Sequence, residues 1–511
     1  MADGPAENPV AAATPPERAG CVGPIGSAGA VSGAAECDEA SGAVFGRRLL
    51  LKGLGAGLAT AGLAPLLAAC SSSNNAKVTK APVGAAPAGG TPAISVSKGA
   101  SLSILMWNHF VPAFDQYFDK YARDWGSANG VNVRVDHVDI AQLPGRLAAE
   151  AAAGKGHDLF AFAAQIQTRR YETRLVDMTP LMEPLIKQYG DVIPIGKATS
   201  LINGVWRGVP HFNVLIAPLI RRDLLKENGL STPQSWDDIL KIGRTMKPKS
   251  HATGMAISHC NDANHNWRAV MWSFGASIVH EDGKTLALDT QEMKDFLTWA
   301  KQFQAEANSD EVYAWQDVSD NQYLGSGQGV FIHDAISSLR SLQQPNPTLY
   351  NNIDILAPLK GPKVQITMPD PQVFAIWNFT PKANVEAATS FLWTYMNNWK
   401  ANFIASTGYN MPMFANQLQK PMPVLSEDPK YQILQDYQGS LLQTYGYPGP
   451  QNPPAEDVLA QYILPDMIAK VRGGGTVDDA LKFGHDQIAP IYAKNYKSSL
   501  TPAPNVTAVP K

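Results

Sequence analysis

Residues 101–107 read Ser101-Leu102-Ser103-Ile104-Leu105-Met106-Trp107, and residues 158–163 read Asp158-Leu159-Phe160-Ala161-Phe162-Ala163. Both are short apolar runs of strand length. Between them Phe114, Phe118, Tyr121 and Trp125 fall near helical spacing, which predicts an amphipathic helix over 112–126. Val131-Asn132-Val133-Arg134-Val135-Asp136 alternates strictly, as a strand with one covered face does. An Ala-rich helix over 143–153 is stopped by Gly154. The order βαβαβ implies a parallel sheet with helices on its faces. Ligands of such sheets bind beyond the carboxyl ends of the strands. Here those ends are Trp107-Asn108-His109 and Ala164-Gln165.

The alternation continues downstream. A long apolar strand is expected over 211–220, shorter ones over 253–258, 329–332, 353–356 and 373–377, a helix opening at Ser235, and helices over 290–307, 383–399 and 477–483. Ser235 with Asp238, Thr290 and Thr476 serve as helix caps. There is no internal repeat, and the whole fits two α/β lobes. At 511 residues the chain is too long for one compact core. With 42 Lys+Arg against 45 Asp+Glu it has no basic surface, which excludes nucleic acid as a main partner. Four Cys exclude a disulfide scaffold.

The amino-terminal region reads as an address. Residues 1–46 lack hydrophobic period and are expected to be disordered or to precede the true start, near Val44. Residues 47–69 resemble a twin-arginine export signal, with Arg47-Arg48 ahead of a Gly/Ala-rich apolar stretch. The stretch ends Leu67-Ala68-Ala69-Cys70, a lipobox in which Cys70 would be lipidated; a plain transmembrane anchor is the alternative. Either reading puts the body outside the cytoplasm, on the outer face of a bacterial cytoplasmic membrane. Residues 70–99 then form a Ser/Ala/Pro/Gly tether reaching about 30 Å as a flexible coil.

No dinucleotide fingerprint, P-loop, nucleophile elbow or His-rich metal spacing occurs. His259 and His265 around Cys260 match the zinc spacings poorly, so neither metal nor cofactor is expected. Asp262 and Asp334 are the first carboxylates to consider for glycosidase chemistry, against ordinary roles as ligand acceptors, caps or loop acids.

The body nevertheless resembles the family-1 extracellular solute-binding proteins of ABC importers, which include maltodextrin binders. The likeness is carried by Gly156-His157-Asp158-Leu159-Phe160, by Asn203 to Pro210, and by Arg221 to Leu230 leading into Pro233-Gln234-Ser235-Trp236-Asp237-Asp238. It continues in Gly327 to Asp334, Ile355 to Pro362 and Glu386 to Leu392, in order over about 100–495. The resemblance implies a two-lobed, type II-like periplasmic-binding-protein fold with three hinge crossings, near 211–213, 373–377 and after 409–412. The first lobe would hold 100–211 plus 376–411, the second 212–375 plus 412–497, and 498–511 would be a tail. It further implies closure on ligand like a hinged trap and docking of the closed form on a membrane permease.

A sugar site needs aromatic faces against C–H faces and planar polar groups for hydroxyls. The strand ends offer Trp107, Asn108, His109 and Gln165, and the expected hinge offers His211, Asn213 and Trp377. The polar run after 258 offers Asp262, Asn264, His265 and Trp267, a segment that in the family carries ligand contacts. His333 and Asp334 stand where relatives have Asp-Gly-Pro-Trp. Ala335-Ile336 remove the stacking Trp, and Tyr445 or Tyr447 would replace it. Trp236, Trp272, Trp393 and Trp399 are expected in the core. The sequence thus reads as a non-catalytic, lipid-anchored, monomeric binding protein. It would capture a di- or oligosaccharide and pass it to an ABC permease. A binder of glycerol phosphate or polyamine, and a secreted polysaccharide hydrolase or lyase, are the alternatives.

Overall fold

A computed structural model describes residues 96–495 apart from Lys98, Ala164 and Gln438. The expected export signal at Arg47 and Arg48, the expected lipidation site Cys70, most of the expected tether and the 498–511 tail lie outside the described residues.

The opening stretch folds as its pattern predicts. Strands β1 (Ser101–Trp107), β2 (Asn132–Val138) and β3 (Leu159–Phe162) pair in parallel, with β1 between the others. β1 is nearly continuous in apolar residues because both its faces are covered. The first helix, Pro112–Asn129, starts on a proline and ends on Gly130 at φ 67°, where a side chain would be strained. Its apolar stripe, Phe114, Phe118, Ala122 and Trp125, is buried. Phe118 meets Phe391 at 5.9 Å and Tyr395 at 5.6 Å edge-on, and these rings form the core of the first lobe.

Two further strands complete this sheet: β4 (Val209–Val214) and, last in the chain, β9 (Asp370–Ile376). β9 runs antiparallel to both β3 and β4, giving the order β2-β1-β3-β9-β4. A second sheet holds β5 (Ala217–Arg221), β6 (Thr253–Gly254), β7 (Phe331–Asp334) and β8 (Ile353–Ile355) in the order β8-β5-β7-β6. Helices Trp236–Met246 and Gln291–Glu306 pack beside it. The former opens with a complete capping box between Ser235 and Asp238. Trp236 and Trp272 are buried as expected, Trp393 lies in the first-lobe core, and Trp399 is only half-buried.

Three expectations are corrected. The apolar run 211–220 is two strands, β4 and β5, in different sheets, joined by Leu215-Ile216. Both halves are buried, so hydrophobicity alone does not show where the chain changes sheet. The expected borders at 211/212 and 375/376 therefore fall inside strands of the first sheet. β4 continues to Val214, and β9 already begins at Asp370. Met411 pairs with Asn213 and Phe414 with Val192, so this lobe also extends past residue 411. Finally, only Thr253–Gly254 of the run 253–258 is strand. Beyond it Asn308 takes the place of a partner strand: its Oδ1 accepts from Met255 N–H, and its Nδ2 donates to Met255 C=O.

Candidate functional site: the cleft between two sheets

The carboxyl end of β7, the segment 315–320 and the start of helix Asn261–Ser273 converge in the second lobe. This helix is the polar run of the sequence, and all thirteen of its residues are buried. Asp317 caps it, accepting from the backbone N–H of Asn261 and Asp262. Asp262, Asp320 and Asp334 each offer one carboxylate oxygen, and these oxygens lie within 4.8 Å of one another. Asp262 is 8% exposed and Asp334 4%. Their Oδ2 atoms meet no hydrogen-bond donor, while Asp320 accepts from Asn321 N–H.

Burial is the main cause raising all four acids, and mutual repulsion adds to it. Asp262 and Asp320 are held well above the carboxylate range and Asp334 is pushed up to about 7. Asp317 is raised too, by burial and by the charge of Asp139 beyond β2, against the helix N–H groups that lower it. Cys260, beside Asp262 and Asp317, is pushed up to about 12 by burial, so its thiol stays protonated at neutral pH.

The first lobe faces this cluster with Tyr409, Gln165 and the start of β9. The charges of Asp334, Asp370, Asp262 and Asp317 all act on the Tyr409 hydroxyl. Tyr462, from the second lobe, has φ 54°, an uncommon conformation for a side chain of its size, and meets the Gln165 side chain across the cleft. A second contact between lobes lies nearby. Arg170 Nη1 pairs with Asp457 at 2.7 Å, and Arg170 N–H donates to Glu456 Oε2 at 3.2 Å. Glu456 is buried and pushed up to about 8 by burial, with the Arg169 charge opposing.

The sequence candidates divide sharply. Asp262, Asp334 and Gln165 come together at this cleft. Trp107 and His109 stack at 4.9 Å at the end of β1. Trp107 donates from Nε1 to Gln372, and His109 accepts at Nδ1 from Val111 N–H, leaving Nε2 to donate to Asn410 Oδ1 at 3.0 Å. Burial lowers His109 to about 4, so it is neutral. Asn108 is exposed. Tyr445 bridges the lobes, its hydroxyl donating to Ile166 C=O, and shares a small cavity with His265 and Asp370. The Nδ1 of His265 has no partner, and burial lowers this histidine to about 3. Asn213 lines a separate, mostly apolar cavity of about 60 Å³ with Ile193, Leu215 and Tyr437.

The remaining candidates are interior. Trp267 is fully buried against Phe296 and Phe303, with Nε1 donating to Ala256 C=O at 2.8 Å. Trp377 stacks on Phe160 at 4.3 Å. Asn264 holds Leu459 C=O and the buried Arg268. His333 is bound to Asn266 Oδ1 at 2.7 Å under the edge of Trp236. His211 packs on Phe374 at 4.0 Å and is kept neutral by burial. Tyr447 lies edge-on to Trp272. An aromatic or amide side chain satisfied inside the core has the same letter as one facing a cleft. Sequence reasoning missed Asp317, Asp320, Tyr409, Tyr462, Glu456 and Arg169. The pair Asp317 and Asp320, one just ahead of a short helix and the other in its first turn, was the available signal.

The family profile described as "Bacterial extracellular solute-binding protein" matches residues 116–432. No curated protein sequence matches the chain. Among solved structures, the sugar transporter of Arthrobacter chlorophenolicus with bound laminaribiose is similar at TM-score 0.67 and 15% identity, over 76% of this chain and 99% of that one. An ABC transporter solute-binding protein of Thermotoga lettingae bound with alpha-D-tagatose gives 0.65 at 16%, over 77% and 100%. Maltose-bound MalE3 of T. maritima gives 0.65 at 16%, over 77% and 100%. At such identities the likeness carries the fold, two lobes around a cleft, while the profile match covers more than half of the sequence. The chain belongs to the bacterial extracellular solute-binding proteins, which bind a substrate rather than transform it.

Proposed function

We propose that this protein is the lipid-anchored solute-binding component of a bacterial ABC importer. It captures a carbohydrate, di- or oligosaccharide in size, between its lobes and delivers it to a membrane permease. The observation that carries this reading is the convergence of buried polar groups from both sheets on one cleft, where Tyr409 and Gln165 face Asp262 and Asp334. A solute touching both sides binds the closed arrangement better than an open one, and only such differential contact shifts the equilibrium toward closure. The laminaribiose, tagatose and maltose bound by the similar structures support the carbohydrate class.

The test is a thermal-shift series with laminaribiose, maltose and tagatose, with product analysis alongside. A bound sugar at a hundredfold excess over Kd stabilises by about 2.7 kcal/mol. A shift with unchanged sugar supports the reading, and consumption of the sugar rejects it. For the anchor, Cys70→Ala should release the protein from membranes; membrane retention of that variant would reject lipidation.

A further inference from the structure

The helix Pro453–Ala460 and the loop leading into it from Gln443 are fixed to the second lobe. Asn452 Nδ2 donates to Gly283 C=O at 2.8 Å, and Leu459 C=O accepts from Asn264. Their other polar groups all reach one stretch of the first lobe, residues 166–170, shortly after β3. Ile166 C=O accepts from the Tyr445 hydroxyl at 2.5 Å and from Gln451 Nε2 at 3.3 Å. Arg170 donates its N–H to Glu456 and pairs its guanidinium with Asp457. One segment of the second lobe thus grips one turn of the first.

Glu456 is the buried member of this grip, 1% exposed. Its own helix adds Asp457, and the preceding loop adds Tyr445. The first lobe brings Arg169, Arg170, Tyr171 and Glu172. Arg268 acts on Tyr445 from helix Asn261–Ser273. None of the three arginines forms an ion pair with Glu456. Arg169 Nη2 donates to Ala198 C=O, Arg170 is taken by Asp457, and Arg268 by Asn264. The amide of Gln451 gives a second sign. Its Nε2 lies 3.3 Å from Glu456 Oε1, while its own Oε1 is buried without a donor. A carboxylate has no proton to offer such an oxygen, whereas a carboxylic acid has one. Burial, which pushes Glu456 up to about 8, acts in the same direction.

We propose that the 443–457 segment is a latch that takes up a proton at Glu456 as the lobes close, so that the lobes hold together more tightly as pH falls. When the lobes part, residues 166–170 leave, water reaches Glu456, and its carboxyl returns to the ordinary range. Closure therefore binds a proton. The gain is present at low pH and is lost as pH rises through about 8. The cleft acids Asp262, Asp320 and Asp334 act in the same sense. His265, which shares an interlobe cavity with Tyr445 and is kept neutral by burial, acts oppositely, but only below the histidine range. The proposal rests on the two-lobed fold and not on the identity of the solute.

The experiment is hydrogen–deuterium exchange of the full chain between pH 7 and 9, read at residues 165–171 and corrected for the intrinsic pH dependence of exchange. The Arg170 N–H is covered only while the latch is engaged, so its protection follows the closing equilibrium. Protection there should fall about tenfold from pH 7 to pH 9, while helix Trp236–Met246 keeps its own. Glu456→Gln, which keeps the shape and removes the titration, should hold the protection constant over that range. Protection that does not fall in the wild type overturns the latch, and this series decides alone if the variant fails to fold. An unchanged fall in Glu456→Gln also overturns it. A fall abolished by Asp334→Asn but not by Glu456→Gln assigns the proton to the cleft acids instead.

Discussion

Two buried carboxylates at the lobe boundary, Glu456 and Asp334, invite comparison. Burial raises both, Glu456 to about 8 and Asp334 to about 7. Glu456 has company: Arg170 N–H and Gln451 Nε2 donate to it, and the Arg169 charge opposes its rise. Asp334 has the Ala335 N–H and the Ser338 hydroxyl beside one oxygen, nothing on the other, and further acids around it. The first is satisfied when the lobes meet with no solute present. The second keeps one buried oxygen without a protein donor, so only the first is a contact between the lobes that the protein completes by itself.

The comparison breaks most visibly if the two sites respond alike to mutation. Glu456→Ala leaves two buried donors and a buried arginine without their acceptor, and should destabilise the ligand-free protein by about 3 kcal/mol in chemical denaturation. Asp334→Asn removes a charge from a like-charged cluster and should stabilise the same state by about 1 to 2 kcal/mol at pH 8. Equal signs would show that Asp334 has a donor after all.

A pH series sharpens the point. A carboxyl whose folded value lies above its unfolded one binds extra protons in the folded state. Its favourable term is present at low pH and is lost as pH rises from the ordinary carboxylate range through the folded value, about 7 for Asp334. Asp262, Asp317 and Asp320, with Cys260, Tyr409 and Tyr462 facing them, titrate in the same sense or stay neutral. Buried neutral histidines act oppositely, losing stability as pH falls: His109 at about 4, His265 and His333 at about 3. The wild-type melting curve therefore mixes both. The gain in melting temperature from Asp334→Asn should be near zero at pH 4 and grow steadily to pH 8. A gain independent of pH would contradict the raised carboxyl.

The smallest effect belongs to the exposed neighbour of Glu456. Arg170→Ala breaks a partly exposed pair with Asp457 and should cost only about 0.5 kcal/mol, screened further by salt. A loss as large as that of Glu456→Ala would mean that the pair, and not the buried carboxyl, holds the lobes.

The legibility of this molecule in its sequence follows burial. β1, the helix ended by Gly154 and the cap at Ser235 were readable because each carries a local signal: a run, a left-handed glycine, a side chain answering a free N–H. The change of sheet at Leu215-Ile216 was not readable, since both sheets demand the same apolar residues there. The site was half readable. Asp262 and Asp334 follow predicted strands, whereas Asp317 and Asp320 follow none, and Tyr409 and Tyr462 reach the cleft only through contacts far along the chain. Trp267 and Trp377 show the converse error, since their indole N–H groups find acceptors inside the lobes and leave nothing for a ligand.

Cys260 lends itself to a practical use. It is the one cysteine among the described residues, buried beside the acids with its thiol pushed up to about 12, so maleimide dyes will pass it by. With Cys21, Cys37 and Cys70 replaced by serine, a cysteine introduced at exposed Asn108 would carry the only fluorophore. Its emission would report solute capture in real time, turning the protein into an optical sensor for whatever it binds.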